Sequence, residues 1–289
     1  GWNMDYNPDC PAWGSLTWPK VGEFNLANGV VAVPAGNRDA DELPNHQLCK
    51  TPTPTSNCLM TWTTAYDAQF ACISHYQLYP ELYPWVGQQF GSQFPRILVL
   101  GESHYLDKGS VYHHDSADWY AGVDIQGKED RGWMVTRRIV ANGIGNKWKE
   151  KSKLIYRNIE AALRDAGISG SDGSTPFQHI AYMNYFQRPA QVTGGSIKVS
   201  PLDKTNSAAV LSFVLAALQP QVVIFCSVLA GQAARSSGIL APPAHQQIRF
   251  VLTTHPATRW WHTPMRKYKG KSGRDMFIQA LYQNCSPPD

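Results

Sequence analysis

From residue 97 onward, short apolar runs alternate with longer amphipathic segments along the chain. Four runs have the length of a β-strand and are bounded by Pro, Gly or polar residues: 97–100, 180–186, 222–226 and 248–252. Continuous apolar runs of this length are typical of parallel strands that are covered on both faces. Apolar residues at helical spacing predict helices in the segments between and after these strands: 134–141, 149–166, 207–218, 230–236 and 273–283.

This regular alternation of strand and helix predicts the fold class. We expect an α/β protein, a three-layer α/β/α sandwich around a four-stranded parallel sheet. Residues 1–57 are rich in Pro, Asn, Gly and Trp, and only residues 62–78 before the first strand show helical spacing. We therefore expect an irregular N-terminal extension, residues 1–90, packed on a globular body of residues 91–289.

Polar side chains lie at or just after the ends of three of the four predicted strands. Gly101 ends the first strand and is followed directly by an acid, a hydroxyl, an imidazole and a phenol: Glu102, Ser103, His104 and Tyr105. Asn184 lies near the end of the second strand, and His255 follows the fourth. Because ligands bind at the carboxyl ends of the strands in open α/β sheets, we predict that these groups form one active site.

Composition adds a mild preference for an anionic partner. The chain has 289 residues, of which 43% are hydrophobic, and a formal net charge of +4. This balance is compatible with binding to nucleic acid but does not require it. No apolar run approaches the roughly 20 residues of a membrane span, and residue 1 is not followed by a signal-peptide pattern. We expect a soluble, cytoplasmic, monomeric protein that does not contact a membrane.

The cysteines and histidines give no standard metal motif. None of the six cysteines forms a CxxC pair, so scattered buried or free thiols are the simplest interpretation. A metal or cluster site among the four cysteines of the first 72 residues is the alternative, as is one at His113, His114 and Asp115. We predict that the protein has no metal and no cofactor.

Three motifs, in this order and at these separations, resemble the signature regions of the uracil-DNA glycosylase superfamily. They are Gly101-Glu102-Ser103-His104-Tyr105, Asn184 with Arg188-Pro189, and His255-Pro256-Ala257. The resemblance covers roughly residues 90–285. It implies a three-layer fold with four parallel strands, DNA as the partner, and hydrolysis of the N-glycosidic bond of a base that is flipped out of the duplex.

The resemblance also implies roles for single residues. Glu102 is similar to the acid that positions water, and His255 to the histidine that donates to the base oxygen O2. Asn184 is similar to the residue that reads the polar edge of the base. Tyr105 is similar to an aromatic residue that crowds the C5 edge of a pyrimidine. Ser103 and His104 belong to the same motif, and we predict that they also contact the base.

Several positions depart from the pattern of that superfamily. His104 replaces a proline in the first motif, and Cys226-Ser227 stands where a glycine is usual near the end of a strand. The paired cysteines of the iron–sulfur branches are missing, so we expect no cluster. These departures affect the expected substrate more than the expected fold. The predicted base is uracil or a modified cytosine, such as the glucosylated hydroxymethylcytosine of phage DNA.

The chemistry of glycosidic cleavage explains the choice of residues. A carboxylate stabilises the cationic sugar and orients water, and a donor stabilises the departing base anion. The predicted DNA contacts are two positive side chains near the motifs, an aromatic wedge and a lysine of the basic segment 266–274: Arg188, Arg259, Trp260 and Lys267. A core position for both Trp260 and Trp261 is the alternative for that pair.

Two other functions remain open from the sequence. Ser103 on a tight strand-to-helix turn, with His255 as its base, is similar to a serine hydrolase, although Tyr105 stands where a nucleophile elbow has glycine. A nucleic-acid-binding module without catalysis is the second alternative.

Overall fold

Five strands and eight α-helices form an α/β fold in the part of the chain that the structure describes. The structure is a computed structural model, and it describes residues 61–105, 115–123, 131–170, 173–190, 195–241 and 246–282. The predicted irregular arm of residues 1–57 and the histidines His113 and His114 lie outside these ranges.

The sheet is mixed and has five strands in the order β1-β3-β2-β4-β5. Their bounds are β1 Trp85–Val86, β2 Ile97–Gly101, β3 Ile180–Asn184, β4 Val222–Phe225 and β5 Arg249–Leu252. Strands β2 to β5 are parallel to one another, and β1 runs antiparallel to β3 at the edge. The expectation of a purely parallel four-stranded sheet is therefore wrong, because the sheet has a fifth strand that is antiparallel. Trp85–Val86, between Pro84 and Gly87, is too short to show a period.

The additional strand, β1, lies within the N-terminal extension that we predicted for residues 1–90. The Gly87 N–H donates to the Ile180 carbonyl (2.9 Å), and the Trp85 indole N–H donates to the Phe177 carbonyl (2.8 Å). Trp85 and Val86 are both fully buried. Residues 85–86 are thus part of the sheet itself.

Two of the eight α-helices precede the sheet, and the other six lie between and after the strands from β2 onward. Their bounds are α1 Asp67–Ala71, α2 Ser74–Leu78, α3 Ser116–Tyr120, α4 Thr136–Gly145, α5 Leu154–Asp165, α6 Pro201–Leu218, α7 Val228–Ser236 and α8 Gly273–Tyr282. The single helix predicted for residues 62–78 is two short helices, because Ile73 has an extended backbone (φ −86°, ψ 113°). Helix α6 begins six residues before the predicted start, at a capping box formed by Ser200 and Asp203.

Helices cover both faces of the sheet. Leu98 and Leu100 of β2 pack in a core cluster with residues of α1, α2, α6 and α7. Ile97 and Val99 point to the opposite face and pack in a second cluster with residues of α4, α5 and α8. Successive side chains of a strand point to opposite faces of the sheet, so these two pairs of residues lie in different core clusters. Both faces of β2 are buried, which explains why the strand is continuously apolar.

The register aligns the carboxyl ends of the four parallel strands. Gly101 pairs with Asn184, Leu100 with Phe225, and Phe225 with Leu252. The residues that follow β2, β4 and β5, and the last residue of β3, therefore lie along one edge of the sheet. This is the edge at which we predicted the active site.

Two further observations concern the cysteines and the membrane. Cys72 is disulfide-bonded, so the free-thiol expectation is wrong for it, whereas Cys226 is a buried free thiol. Disulfides persist mainly in oxidising compartments, so this bond does not favour the predicted cytoplasmic location. Within the described ranges, no helix combines the length and the apolar character needed to cross a bilayer.

Candidate active site

Glu102 directly follows the central strand and is held by Ser227. Its side chain is only 8% exposed, and its Oε2 accepts a hydrogen bond from the Ser227 hydroxyl at 2.6 Å. The same hydroxyl accepts from the Ala230 N–H (3.2 Å), because Ser227 is the N-cap of α7. A carboxylate at a helix N-terminus is stabilised by the partial positive charge of that terminus. The acid is thus fixed by β4 and α7.

His255 lies in a turn after β5. The Thr258 N–H and hydroxyl both donate to the His255 carbonyl, at 3.0 and 2.8 Å. Asn158 of α5 donates from Nδ2 to the Pro256 carbonyl at 2.7 Å. These contacts fix the backbone that carries the imidazole.

The hydrogen bonds of the His255 ring determine its tautomer. The Ala257 N–H donates to His255 Nδ1 at 3.3 Å, so Nδ1 carries no proton and Nε2 carries one. Burial lowers the pKa of His255, and the charge of Glu102 opposes this shift without cancelling it. The ring is therefore neutral near pH 7 and has one N–H, on Nε2, to donate. Glu102 and His255 follow strands β2 and β5, whose carboxyl ends lie at the same edge of the sheet.

Asn184 is the last residue of β3 and lies opposite Gly101. Its Oδ1 accepts a hydrogen bond from the Tyr182 hydroxyl at 3.2 Å. A Cβ atom on Gly101 would lie 2.2 Å from that Oδ1 and 2.4 Å from the Tyr182 oxygen, which is far inside van der Waals contact. The absence of a side chain at Gly101 therefore provides the space in which the Asn184 amide is seated.

Tyr105 lies three residues after Glu102, beyond the end of β2. It is partly buried, and its backbone forms a parallel bridge with Ala190. Burial raises the pKa of Tyr105, and the nearby charge of Glu102 raises it further, so the phenol is neutral. Tyr105 also interacts electrostatically with Tyr182, the partner of Asn184.

The arrangement therefore brings Glu102, Tyr105, Asn184 and His255 to one edge of the sheet. Neighbouring strands are about 4.8 Å apart, so the ends of β3 and β5 are separated by about 14 Å, with the end of β2 between them. Asn184 and His255 thus lie on opposite sides of Glu102. Hydrogen-bond donors at both sides and a carboxylate between them suit a flat polar ligand.

The other two residues of the first motif are buried. The His104 Nε2 lies 3.2 Å from the Thr136 hydroxyl at the start of α4. Burial lowers the pKa of His104 to about 4, with a smaller contribution from the charge of Lys153. The Ser103 hydroxyl has no hydrogen-bond partner among the described residues. It therefore lacks the bond to His255 that an activated serine nucleophile requires.

Arg188 is a correction to the predicted DNA contacts. Its side chain is buried (2% exposed), and its Nε and Nη2 donate to the two carboxylate oxygens of Asp203 at 2.8 and 2.7 Å. Nη2 also donates to the Lys198 carbonyl (3.1 Å). This bidentate pair ties the loop after β3 to the first turn of α6, and a phosphate has no access to it.

The remaining predicted DNA contacts lie at the surface. The Arg259 guanidinium lies 4.0 Å from the ring centroid of Trp260, which is 37% exposed, and Lys267 is exposed beside Tyr268. Trp261 is fully buried and packs against Phe277 of α8. The alternative of a core position thus holds for Trp261 and not for Trp260.

Sequence reasoning missed the residues that support the site. Ser227 follows a strand and begins a helix, which is a recognisable N-cap position, but the sequence does not show which side chain its hydroxyl meets. Tyr182 alternates with Asn184 on one face of a strand, and this spacing of two was a usable signal. Within the described ranges, no group of three or more His, Cys, Asp and Glu side chains is placed to hold a metal ion.

Comparison with known proteins does not add to this geometry. No protein-family model matches the chain, and no curated protein matches it.

Proposed function

We propose that the protein is a DNA glycosylase that hydrolyses the N-glycosidic bond of a pyrimidine flipped out of DNA and leaves an abasic site. The observation that carries the proposal is the pairing of a fixed carboxylate, Glu102, with a neutral imidazole, His255, that has only Nε2–H to donate. Helices on both faces of the sheet fit the three-layer α/β/α architecture of the uracil-DNA glycosylase superfamily, with β1 as an added edge strand.

The carboxylate acts on the sugar. As the bond between C1′ and the base nitrogen breaks, positive charge develops on the sugar and negative charge on the base. Ser227 engages Oε2 of Glu102, so Oε1 is the oxygen available to a water molecule. Water adds to C1′, and its proton passes to Glu102 and then to solvent. The fixed acid thereby stabilises the cation and directs the nucleophile.

The imidazole acts on the leaving base. A neutral Nε2–H donor directed at a base oxygen stabilises the anion as it forms, in the manner of an oxyanion hole. His255 needs no proton transfer for this role. The amide of Asn184 binds the polar edge of the base, and the phenol of Tyr105 limits the space beside the ring.

The surface near His255 supplies the DNA contact in this proposal. Trp260 is exposed and follows His255 by five residues, and the Arg259 guanidinium stacks on it. An aromatic side chain in this position fills the space that an extruded base leaves, and Lys267 adds a positive charge for phosphates. The buried Arg188 has no part in binding.

The test is base release from DNA by the purified protein. Oligonucleotides that contain uracil, and phage DNA that contains glucosylated hydroxymethylcytosine, are incubated with enzyme, and free base and abasic sites are quantified. Glu102→Gln, which keeps an acceptor for Ser227, is expected to slow release by about 100- to 10,000-fold, and His255→Ala by about 100- to 1000-fold.

A matched control removes an exposed acid outside the site. Asp118→Asn in α3 changes the net charge as Glu102→Gln does and is expected to keep full activity. Ser103→Ala separates the hydrolase alternative, since a serine hydrolase loses its nucleophile and all activity, whereas a glycosylase keeps its acid and its imidazole and most of its activity. Absence of abasic sites on every DNA, with folded protein, would overturn the proposal.

A further inference from the structure

A phenol and an amide form a buried hydrogen bond at the polar edge of the candidate site. Tyr182 of β3 donates from its hydroxyl to Oδ1 of Asn184 at 3.2 Å. Tyr156 of α5 packs beside Tyr182, with ring centroids 5.2 Å apart. Tyr182 and Asn184 are buried, so this hydrogen bond fixes a group that a ligand meets.

The phenolic proton of Tyr182 determines the direction of this hydrogen bond. A neutral phenol has one proton to donate, and Tyr182 donates it to Asn184. Burial raises the pKa of Tyr156 to about 12 and that of Tyr182 well above its usual value, so both phenols keep their protons at neutral pH.

The rings that carry these hydroxyls are held in place. Tyr156 stacks on Trp148, with ring centroids 5.4 Å apart and planes at 8° to each other. Trp148 donates from its indole N–H to Glu160 of the same helix as Tyr156. On the other side, Gly101 provides the space for the Tyr182 hydroxyl and Asn184 Oδ1. Turning the Tyr182 hydroxyl away from Asn184 would break its hydrogen bond to Oδ1.

We propose that Tyr182 is a positioning residue that fixes the orientation of the Asn184 amide, so that the site presents Nδ2–H as a donor and one lone pair of Oδ1 as an acceptor. This inference rests on the proposed function. A 4-keto pyrimidine such as uracil offers O4 to the donor and N3–H to the acceptor. A 4-amino pyrimidine, including every cytosine with a substituent at C5, places its amino group opposite the Nδ2–H donor. Its N3 lone pair lies opposite the lone pair of Oδ1, so neither contact forms a hydrogen bond.

The amide is ambiguous without the Tyr182 hydroxyl. Rotation of Asn184 by 180° about its last torsion exchanges donor and acceptor at nearly the same shape, and only hydrogen-bond partners favour one orientation. Removal of the hydroxyl therefore lets the amide adapt to either class of base. Selectivity for the 4-keto class falls, while the residues that act on the sugar are unchanged.

The test compares two variants that each lose one phenolic oxygen. Tyr182→Phe removes the group that orients Asn184, whereas Tyr156→Phe leaves Tyr182 free to donate to Asn184. Each variant removes one hydroxyl from a buried tyrosine ring, so the two incur similar losses of stability. Binding of free uracil and free cytosine to the full-length protein is measured by ligand-observed NMR, beside abasic-site formation on uracil-containing DNA.

The expected result is a preference of the parent protein for uracil of at least about tenfold, retained in Tyr156→Phe and reduced at least about fivefold in Tyr182→Phe. An unchanged preference in Tyr182→Phe, or a parent protein that prefers cytosine, overturns the inference; if uracil DNA is still cleaved, the glycosylase proposal stands. A parent protein that binds neither base and cleaves no DNA overturns both.

Discussion

Ser227 offers a sharp test of how the acid is held. Its hydroxyl has two roles: it donates to Oε2 of Glu102 at 2.6 Å and accepts from the Ala230 N–H as the N-cap of α7. Ser227→Ala removes both interactions and adds no bulk. Because one interaction concerns the site and the other concerns a helix end, the variant affects activity and stability through separate contacts.

The two losses differ in size. Loss of an N-cap costs about 1 kcal/mol of folding free energy, which lowers Tm by about 2–4 °C for a domain of this size. A hydrogen bond to a charged group contributes about 1.5–3 kcal/mol. If that bond positions Glu102 for the transition state, its loss slows base release by about 10- to 100-fold, since 1.4 kcal/mol corresponds to a factor of ten.

The assay is single-turnover release of base from DNA, together with thermal unfolding. Ser200→Ala is the matched control, because Ser200 caps α6 in the same way but does not contact Glu102. We expect Ser200→Ala to lose stability without loss of rate, and Ser227→Thr, which keeps a hydroxyl, to recover most of the activity. Equal rates in Ser227→Ala and the parent protein would refute the idea that this contact positions the acid.

Three further predictions follow from the same geometry. Trp261→Ala should destabilise the fold by about 3–5 kcal/mol, whereas Trp260→Ala should leave Tm unchanged within about 1 °C and weaken DNA binding about tenfold, as measured by unfolding and fluorescence anisotropy. Asp203→Asn should destabilise by about 3–5 kcal/mol, because it leaves Arg188 buried without a counter-charge; unchanged Tm would contradict this. Burial lowers the pKa of His255 below 6.5, its ordinary value. As pH falls, the neutral imidazole should therefore persist below pH 6.5 and be lost only below the lowered pKa. A fall in kcat/KM that is attributable to His255 and occurs above pH 6.5 would contradict the assignment.

The central part of the fold was predictable because strands buried on both faces leave a direct trace in the sequence. Ile97 to Leu100 is continuously apolar and ends at a glycine, and the structure has a strand there with every residue buried. Strand β1 could not be recognised from the sequence, because a strand of two residues is too short to show a pattern of apolar and polar positions. Its position depends on pairing with β3, which is a tertiary interaction that the local pattern does not contain.

The candidate site was predictable only for residues whose position at the end of a parallel strand places them at one edge of the sheet. Glu102, Asn184 and His255 each follow or end a parallel strand, and parallel strands bring such positions to one edge. Arg188 satisfied the same rule and yet is buried, because Asp203 at the start of α6 neutralises it. The predicted start of α6 at residue 207 missed the Ser200-Pro201 pair with Asp203 three residues after the cap, and the partner of that aspartate depends on packing.

The central claim is that one extruded base contacts Glu102, Asn184 and His255 together. The direct measurement is a crystal structure of Glu102→Gln bound to duplex DNA that carries 2′-fluoro-2′-deoxyuridine, whose glycosidic bond resists cleavage. We predict a flipped base within hydrogen-bond distance of Asn184 Nδ2 and His255 Nε2, with C1′ facing residue 102. A base that stays stacked in the duplex, or DNA bound at another face of the protein, would contradict it.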